Sequence, residues 1–140
     1  MFLFVVNRFL IFITRSPFDS LNGQTALCFC EAAISLGHEI EQIFFYQQGV
    51  LHASTDVQAG AGEKNMLQLW THFAEQTKTP LNVCVTAAAK RGVLSEDDAK
   101  IFGRHSNMDK VFCPIGMADY FSALSTSAIG NDSSPICIQF

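Results

Sequence analysis

The chain has no surplus of basic residues. Nine lysines and arginines stand against thirteen aspartates and glutamates, for a formal net charge of −4 and a pI near 5.4. A large nucleic-acid footprint needs a basic face, so this balance argues against one. No GxGxxG or Walker sequence occurs, which argues against nucleotide binding. Apolar runs are short. The stretch MFLFVVNRFLIFI, Met1 to Ile13, falls below the roughly 20 residues of a membrane span. It also lacks the basic start and small-residue cleavage site of a signal peptide. Internal repeats, low-complexity tracts and linkers are missing, so one domain is expected.

Metal-binding patterns are equally sparse. The five cysteines, Cys28, Cys30, Cys84, Cys113 and Cys137, include no CxxC pair. Cys28-Phe29-Cys30 is a CxC in a helical pattern, where the two sulfurs point about 200° apart around the axis. His38, His52, His72 and His105 show no zinc-ligand spacing with the cysteines. No metal and no cofactor is assigned. An odd number of cysteines without a secretory signal argues against a disulfide framework and for a reducing, cytoplasmic setting.

What is present is core. Of 140 residues, 49% are hydrophobic, enough for a full interior and too many for a disordered chain. Arg8 to Thr14 reads as a strand buried on both faces, because its apolar run is continuous. Ser16-Pro17 and Asn22-Gly23 mark a loop. A helix is expected over Gln24 to Leu36, with Leu27, Cys30 and Ile34 on one stripe and Gly37 as its stop. Glu41 to Tyr46 reads as the second strand. Gln47 to Gly62, with three glycines and little periodicity, reads as a long mobile surface loop. Glu63 to Thr77 reads as a helix with Met66, Trp70 and Phe73 inward. Leu81 to Val85 is the third strand. Ser95 and Asp98 resemble a capping box for a short helix ending near Gly103. Val111 to Ile115, Met117 to Thr126 and Ile136 to Phe140 complete the alternation as strand, helix and strand. The pattern predicts an α/β fold, three layers α/β/α around a mainly parallel five-stranded sheet.

One stretch carries chemistry: Leu81-Asn82-Val83-Cys84-Val85-Thr86-Ala87-Ala88-Ala89-Lys90-Arg91-Gly92. A buried strand gives out at a cysteine, where ligands collect in parallel sheets. Ala87, Ala88 and Ala89 leave room for an incoming molecule. Lys90 and Arg91 offer charge to a thiolate, the nucleophilic form of cysteine. The opposing reading stays open at this point: free cysteine often serves as a small buried hydrophobe, and a charge pair is usually solvated.

The other candidates read as structural. Cys113 and Cys137 lie in apolar strand patterns and are expected in the core. Cys30 is expected inside its helix, and Cys28 partly exposed. His52 falls in the expected mobile loop and reads as solvated, not as a catalytic base. His38 reads as a cap or turn residue. Phe44, Phe45 and Tyr46 read as core or subunit interface.

The wording LNVCVTAAAKRGV, Leu81 to Val93, closely resembles the DsrE/TusD family of sulfur-carrier proteins. Gly37-His38-Glu39-Ile40, Ile43-Phe44-Phe45-Tyr46, Gly49-Val50, Ser106-Asn107 and Ile136-Cys137-Ile138-Gln139-Phe140 agree with it. The resemblance runs from about Arg8 to Phe140. It implies that Met1 to Asn7 precede the family domain as an extension; a longer first strand through Phe4 to Val6 is the alternative. Met117-Ala118-Asp119 departs from the glycine-rich wording of the family, so any family role of that turn is not carried over. The resemblance further implies a sulfurtransferase whose Cys84 accepts sulfane sulfur as a persulfide and relays it toward 2-thiolation of the tRNA wobble uridine. It implies TusB-like and TusC-like homologous subunits in a heterohexamer, a TusA-like sulfur donor, and a TusE-like or DsrC-like acceptor. The acidic balance and the short apolar runs add the expectation of no direct tight contact with tRNA and no membrane. Two alternatives remain within the resemblance: a DsrE-type protein of sulfur oxidation, and a non-catalytic structural subunit.

Overall fold

A computed structural model describes residues 3–126 and 134–140. Its strands are β1 (Arg8–Ile13), β2 (Glu39–Phe45), β3 (Leu81–Cys84), β4 (Phe112–Ile115) and β5 (Ile136–Gln139). All pair in parallel, in the spatial order β4-β3-β2-β1-β5. The helices are α1 (Asn22–Ser35), α2 (Met66–Thr77), α3 (Val85–Lys90), α4 (Glu96–Phe102) and α5 (Met117–Thr126).

Two cores follow from the period-2 alternation of the strands. On one face, Phe12 and Phe44 meet Tyr120 of α5, whose ring stacks on Phe44 with centroids 4.6 Å apart, and Tyr46 packs against the two phenylalanines. On the other, Phe45 meets Trp70 of α2 and Phe112, while Phe9 meets Phe29 of α1. The connections from β1 to β4 all step the same way across the sheet. The return from β4 to β5 steps back past β1. Right-handed crossovers in opposite directions place their helices on opposite faces, which gives the three layers. Phe44 and Phe45 are fully buried within the chain, so they belong to the core and not to a subunit interface; Tyr46 is half-buried.

Local chemistry sets the helix ends. Gly37, at φ 84°, closes α1: the His38 N–H bonds the Ala33 carbonyl and the Gly37 N–H bonds the Ile34 carbonyl, each at 2.9 Å. Asn65 caps α2 by accepting the Gln68 N–H at 3.2 Å. This better cap starts the helix at Met66 and leaves Glu63 outside. Ser95 caps α4 by accepting the Asp98 N–H at 3.2 Å, and three acids in that first turn suit the helix dipole. β1 begins at Arg8; Leu3 to Val6 are exposed and outside any strand.

The expected mobile loop after β2 is corrected. Gln47–Ala53 form a 3₁₀ helix, with Gly49, Val50, His52 and Ala53 buried. Side chains three apart eclipse in a 3₁₀ helix, so Gly49 pairs with His52 and Val50 with Ala53 on the inner side. Gly49 is required there because a Cβ would overlap the Ile13 carbonyl oxygen. Two further expectations fail at the sheet edges. Cys113 on β4 and Cys137 on β5 are exposed rather than core, because these strands lack an outer neighbour among the described residues.

Candidate functional site

Cys84 is the last residue of β3 and the N-cap residue of α3. It lies opposite Ile115 in the β3–β4 register, at the carboxyl edge of the sheet. Strand turns directly into helix here, so Val85 opens α3 instead of ending the strand. The cysteine side chain makes no capping hydrogen bond. Two residues earlier on the same face, Asn82 Nδ2 donates to Gln42 Oε1 at 2.6 Å.

The expected open turn is corrected by the helix. Ala87 and Ala88 are buried, and Cys84 is 5% exposed. Small side chains at these positions let α3 pack closely on the 3₁₀ helix; they do not leave an empty approach. Lys90 is exposed. Arg91 is half-buried and its Nη1 donates to the Ala87 carbonyl at 3.1 Å, where a cation suits the carboxyl end of a helix. Its Nε is buried without a hydrogen-bond partner among the described residues. Arg91 Nη1 thus donates to a backbone carbonyl of α3 and not to the sulfur.

Three loops gather around the far end of α3. Asn107 joins them, bonding Leu94, Gly92 and Asp56 through its side chain. Beside it lies an open groove of about 910 Å³, walled by Ala89, Gly92, Phe102, Arg104 and His105.

His52 is buried, contrary to its reading as a solvated loop residue. Its Nδ1 accepts from Trp70 Nε1 at 3.2 Å, and its Nε2 meets the Arg15 carbonyl at 3.1 Å. Only the neutral tautomer with the proton on Nε2 satisfies both partners. Burial pushes its pKa down to about 4, against a smaller opposing effect of the Arg15 carbonyl. The signal that could have found it was the three-residue spacing with Gly49.

A family model, the DsrE/DsrF-like family, matches residues 7–127. The chain belongs to the DsrE/DsrF-like family. Within it, the chain is 34% identical over 90 residues to "Sulfurtransferase TusD" of Buchnera aphidicola, covering 64% of this chain and 70% of that one. It is 41% identical over 88 residues to "Sulfurtransferase TusD homolog" of Pseudomonas aeruginosa, covering 63% and 67%. Against the TusD of Erwinia tasmaniensis the identity is 34% over 96 residues, covering 69% and 75%. The crystal structure of the ychN protein from E. coli superposes with a TM-score of 0.72 over 96% of this chain and all of that one. At 13% identity, that likeness bears on the fold alone.

The remaining thiols of this DsrE/DsrF-like chain stand in different settings. Cys30 is fully buried, and burial, with Glu31 beside it, pushes its pKa up to about 12. Cys28 is exposed on the same helix, as expected. Cys137 Sγ lies 3.2 Å from the Tyr120 hydroxyl; burial raises the Tyr120 pKa, with Cys137 adding to the effect. Among the described residues, no group of three or more His, Cys, Asp or Glu is placed to hold a metal, and no helix is long and apolar enough to cross a membrane.

Proposed function

We propose that this chain is a cytoplasmic sulfurtransferase subunit that takes up sulfane sulfur on Cys84 as a persulfide and passes it on toward 2-thiolation of the tRNA wobble uridine. The observation that carries this is position. Of the five thiols, Cys84 alone ends an interior strand and caps the helix that follows. Curated relatives carrying the sulfurtransferase name support the class of reaction.

The chemistry balances without an external oxidant. The Cys84 thiolate attacks the outer sulfur of a donor persulfide. A Cys84–sulfur bond forms, the donor's S–S bond breaks, and the donor leaves as its thiolate. An acceptor thiolate then attacks the outer sulfur of Cys84-SSH and releases the Cys84 thiolate. Each step is a thiol–disulfide-type exchange, governed by thiolate character and access.

In this reading TusB-like and TusC-like subunits complete a heterohexamer, a TusA-like protein donates sulfur, and a TusE-like or DsrC-like protein accepts it. Exposed Ile101, Phe102 and Phe121 offer apolar surface for such contacts. Co-expression with the two homologues, followed by light scattering of the purified material, tests the assembly. A complex with two copies of each is expected; failure to co-purify in mild salt counts against it. Loss of the gene lowers wobble 2-thiouridine under this proposal. Unchanged thiolation with altered sulfur oxidation would favour a DsrE-type role instead.

A further inference from the structure

The Asn107 side chain uses both of its polar atoms to join three loops. Oδ1 accepts the Leu94 N–H at 2.7 Å, while Nδ2 donates to the Gly92 carbonyl and to Asp56 Oδ2, each at 2.8 Å. Its backbone adds to this. The Asn107 carbonyl accepts from the Thr55 N–H at 2.8 Å and from Thr55 Oγ1 at 3.1 Å, and its N–H donates to the Leu94 carbonyl at 3.1 Å. Only one orientation of the amide satisfies all three side-chain partners. Aspartate at this position lacks the two donors, and leucine lacks every bond.

The partners matter because of what they end. Gly92, at φ 75°, terminates α3, and the Val93 N–H bonds back to the Ala88 carbonyl at 2.9 Å. A helix of six residues has little stability of its own and needs outside support. Asn107 grips its carboxyl end; Cys84 sits at the other end, about 9 Å away along the axis. A small tilt at Gly92 is therefore carried to the sulfur.

We propose that Asn107 is a positioning residue for Cys84. It clamps α3 through Gly92 and Leu94, Asp56 holds its amide in orientation, and together they set the angle at which the sulfur meets an incoming persulfide. This role rests on the reading of Cys84 as the sulfur acceptor.

The test is the rate at which the full chain gains sulfur from glutathione persulfide, followed by mass, for wild type, Asn107→Asp, Asp56→Ala and the paired variant Asp56→Asn with Asn107→Asp. Asn107→Asp sets two carboxylates against each other and slows uptake by about 10-fold or more, in line with the sensitivity of reactions to misplacement. The paired variant restores a donor facing an acceptor between positions 56 and 107 but not the donor to the Gly92 carbonyl, so it recovers part of the rate. Asp56→Ala touches only an exposed side chain, keeps the fold, and slows uptake by a smaller factor. Urea midpoints measured alongside show whether each variant is folded in the assay. Wild-type rates in folded Asn107→Asp overturn the positioning role alone. So does a loss that the paired variant leaves uncorrected. If Asn107→Asp does not fold, an unchanged rate in Asp56→Ala overturns it. A wild-type chain that gains no sulfur overturns the reading of Cys84 and this role with it.

Discussion

Trp70 Nε1 donates to His52 Nδ1 at 3.2 Å, a buried bond that links α2 to the 3₁₀ helix and, through the Arg15 carbonyl, to the end of β1. The bond requires a neutral imidazole. The folded pKa of about 4 lies below the ordinary 6.5. Stability from this group is therefore fully present above pH 6.5 and is lost as pH falls toward 4. One proton taken up on unfolding gives a slope of up to about 1.4 kcal/mol per pH unit in that window. Urea midpoints at pH 7 and pH 5 should show a steeper loss in wild type than in His52→Gln. Parallel losses would contradict this account of His52.

Gly49 and Gly62 should answer differently to alanine. At Gly49 a Cβ would run into the Ile13 carbonyl, a backbone atom that cannot step aside. Gly49→Ala should cost about 3 kcal/mol, the upper end for overpacking. Gly62 has φ 78° and open space around it. Its alanine variant should cost only the left-handed strain, roughly 1–2 kcal/mol. Denaturant unfolding of both variants checks the order; equal costs would show that the 3₁₀ helix is not pressed on β1.

Thiol reactivity should divide the five cysteines. Cys28, Cys113 and Cys137 are exposed, whereas Cys30 and Cys84 are buried. In the native chain an alkylating reagent should label the first three quickly and the other two slowly, with all five labelled in urea. Peptide mapping reads the pattern. Labelling of Cys84 as fast as Cys28 would contradict its burial in the native chain.

Part of this was legible in the sequence. Met117–Thr126 is a helix as its pattern predicts, and the apolar runs of β1 to β5 give the parallel α/β sheet. Cys84 falls at the strand end as read. The failures share a cause. Strand order is a long-range property, so the apolar wording around Cys113 and Cys137 could not reveal that both strands lie at sheet edges. The 3₁₀ helix escaped because its three-residue spacing fits neither the strand nor the α-helix period. His52 went with it, since its burial depends on Trp70, 18 positions away. The alanines after Cys84 read as an open turn but form α3, with Ala87 and Ala88 buried.

The isolated chain should not bind tRNA tightly at physiological salt, because tight binding draws on many phosphate contacts from basic residues and the net charge is −4. A gel shift with sub-micromolar affinity would contradict the relay reading, in which sulfur moves from protein to protein.

The most direct test is the mass of the chain after incubation with a cysteine desulfurase, cysteine and a sulfur carrier. Wild type should gain one sulfur atom that reductant removes, as a persulfide does. Cys84→Ser should gain none while keeping its fold, at a cost of about 1–3 kcal/mol for an unpaired buried hydroxyl. Cys28→Ser, Cys113→Ser and Cys137→Ser should gain sulfur as wild type does. Sulfur gained and passed on by Cys84→Ser at the wild-type rate would contradict the assignment and move it to Cys28.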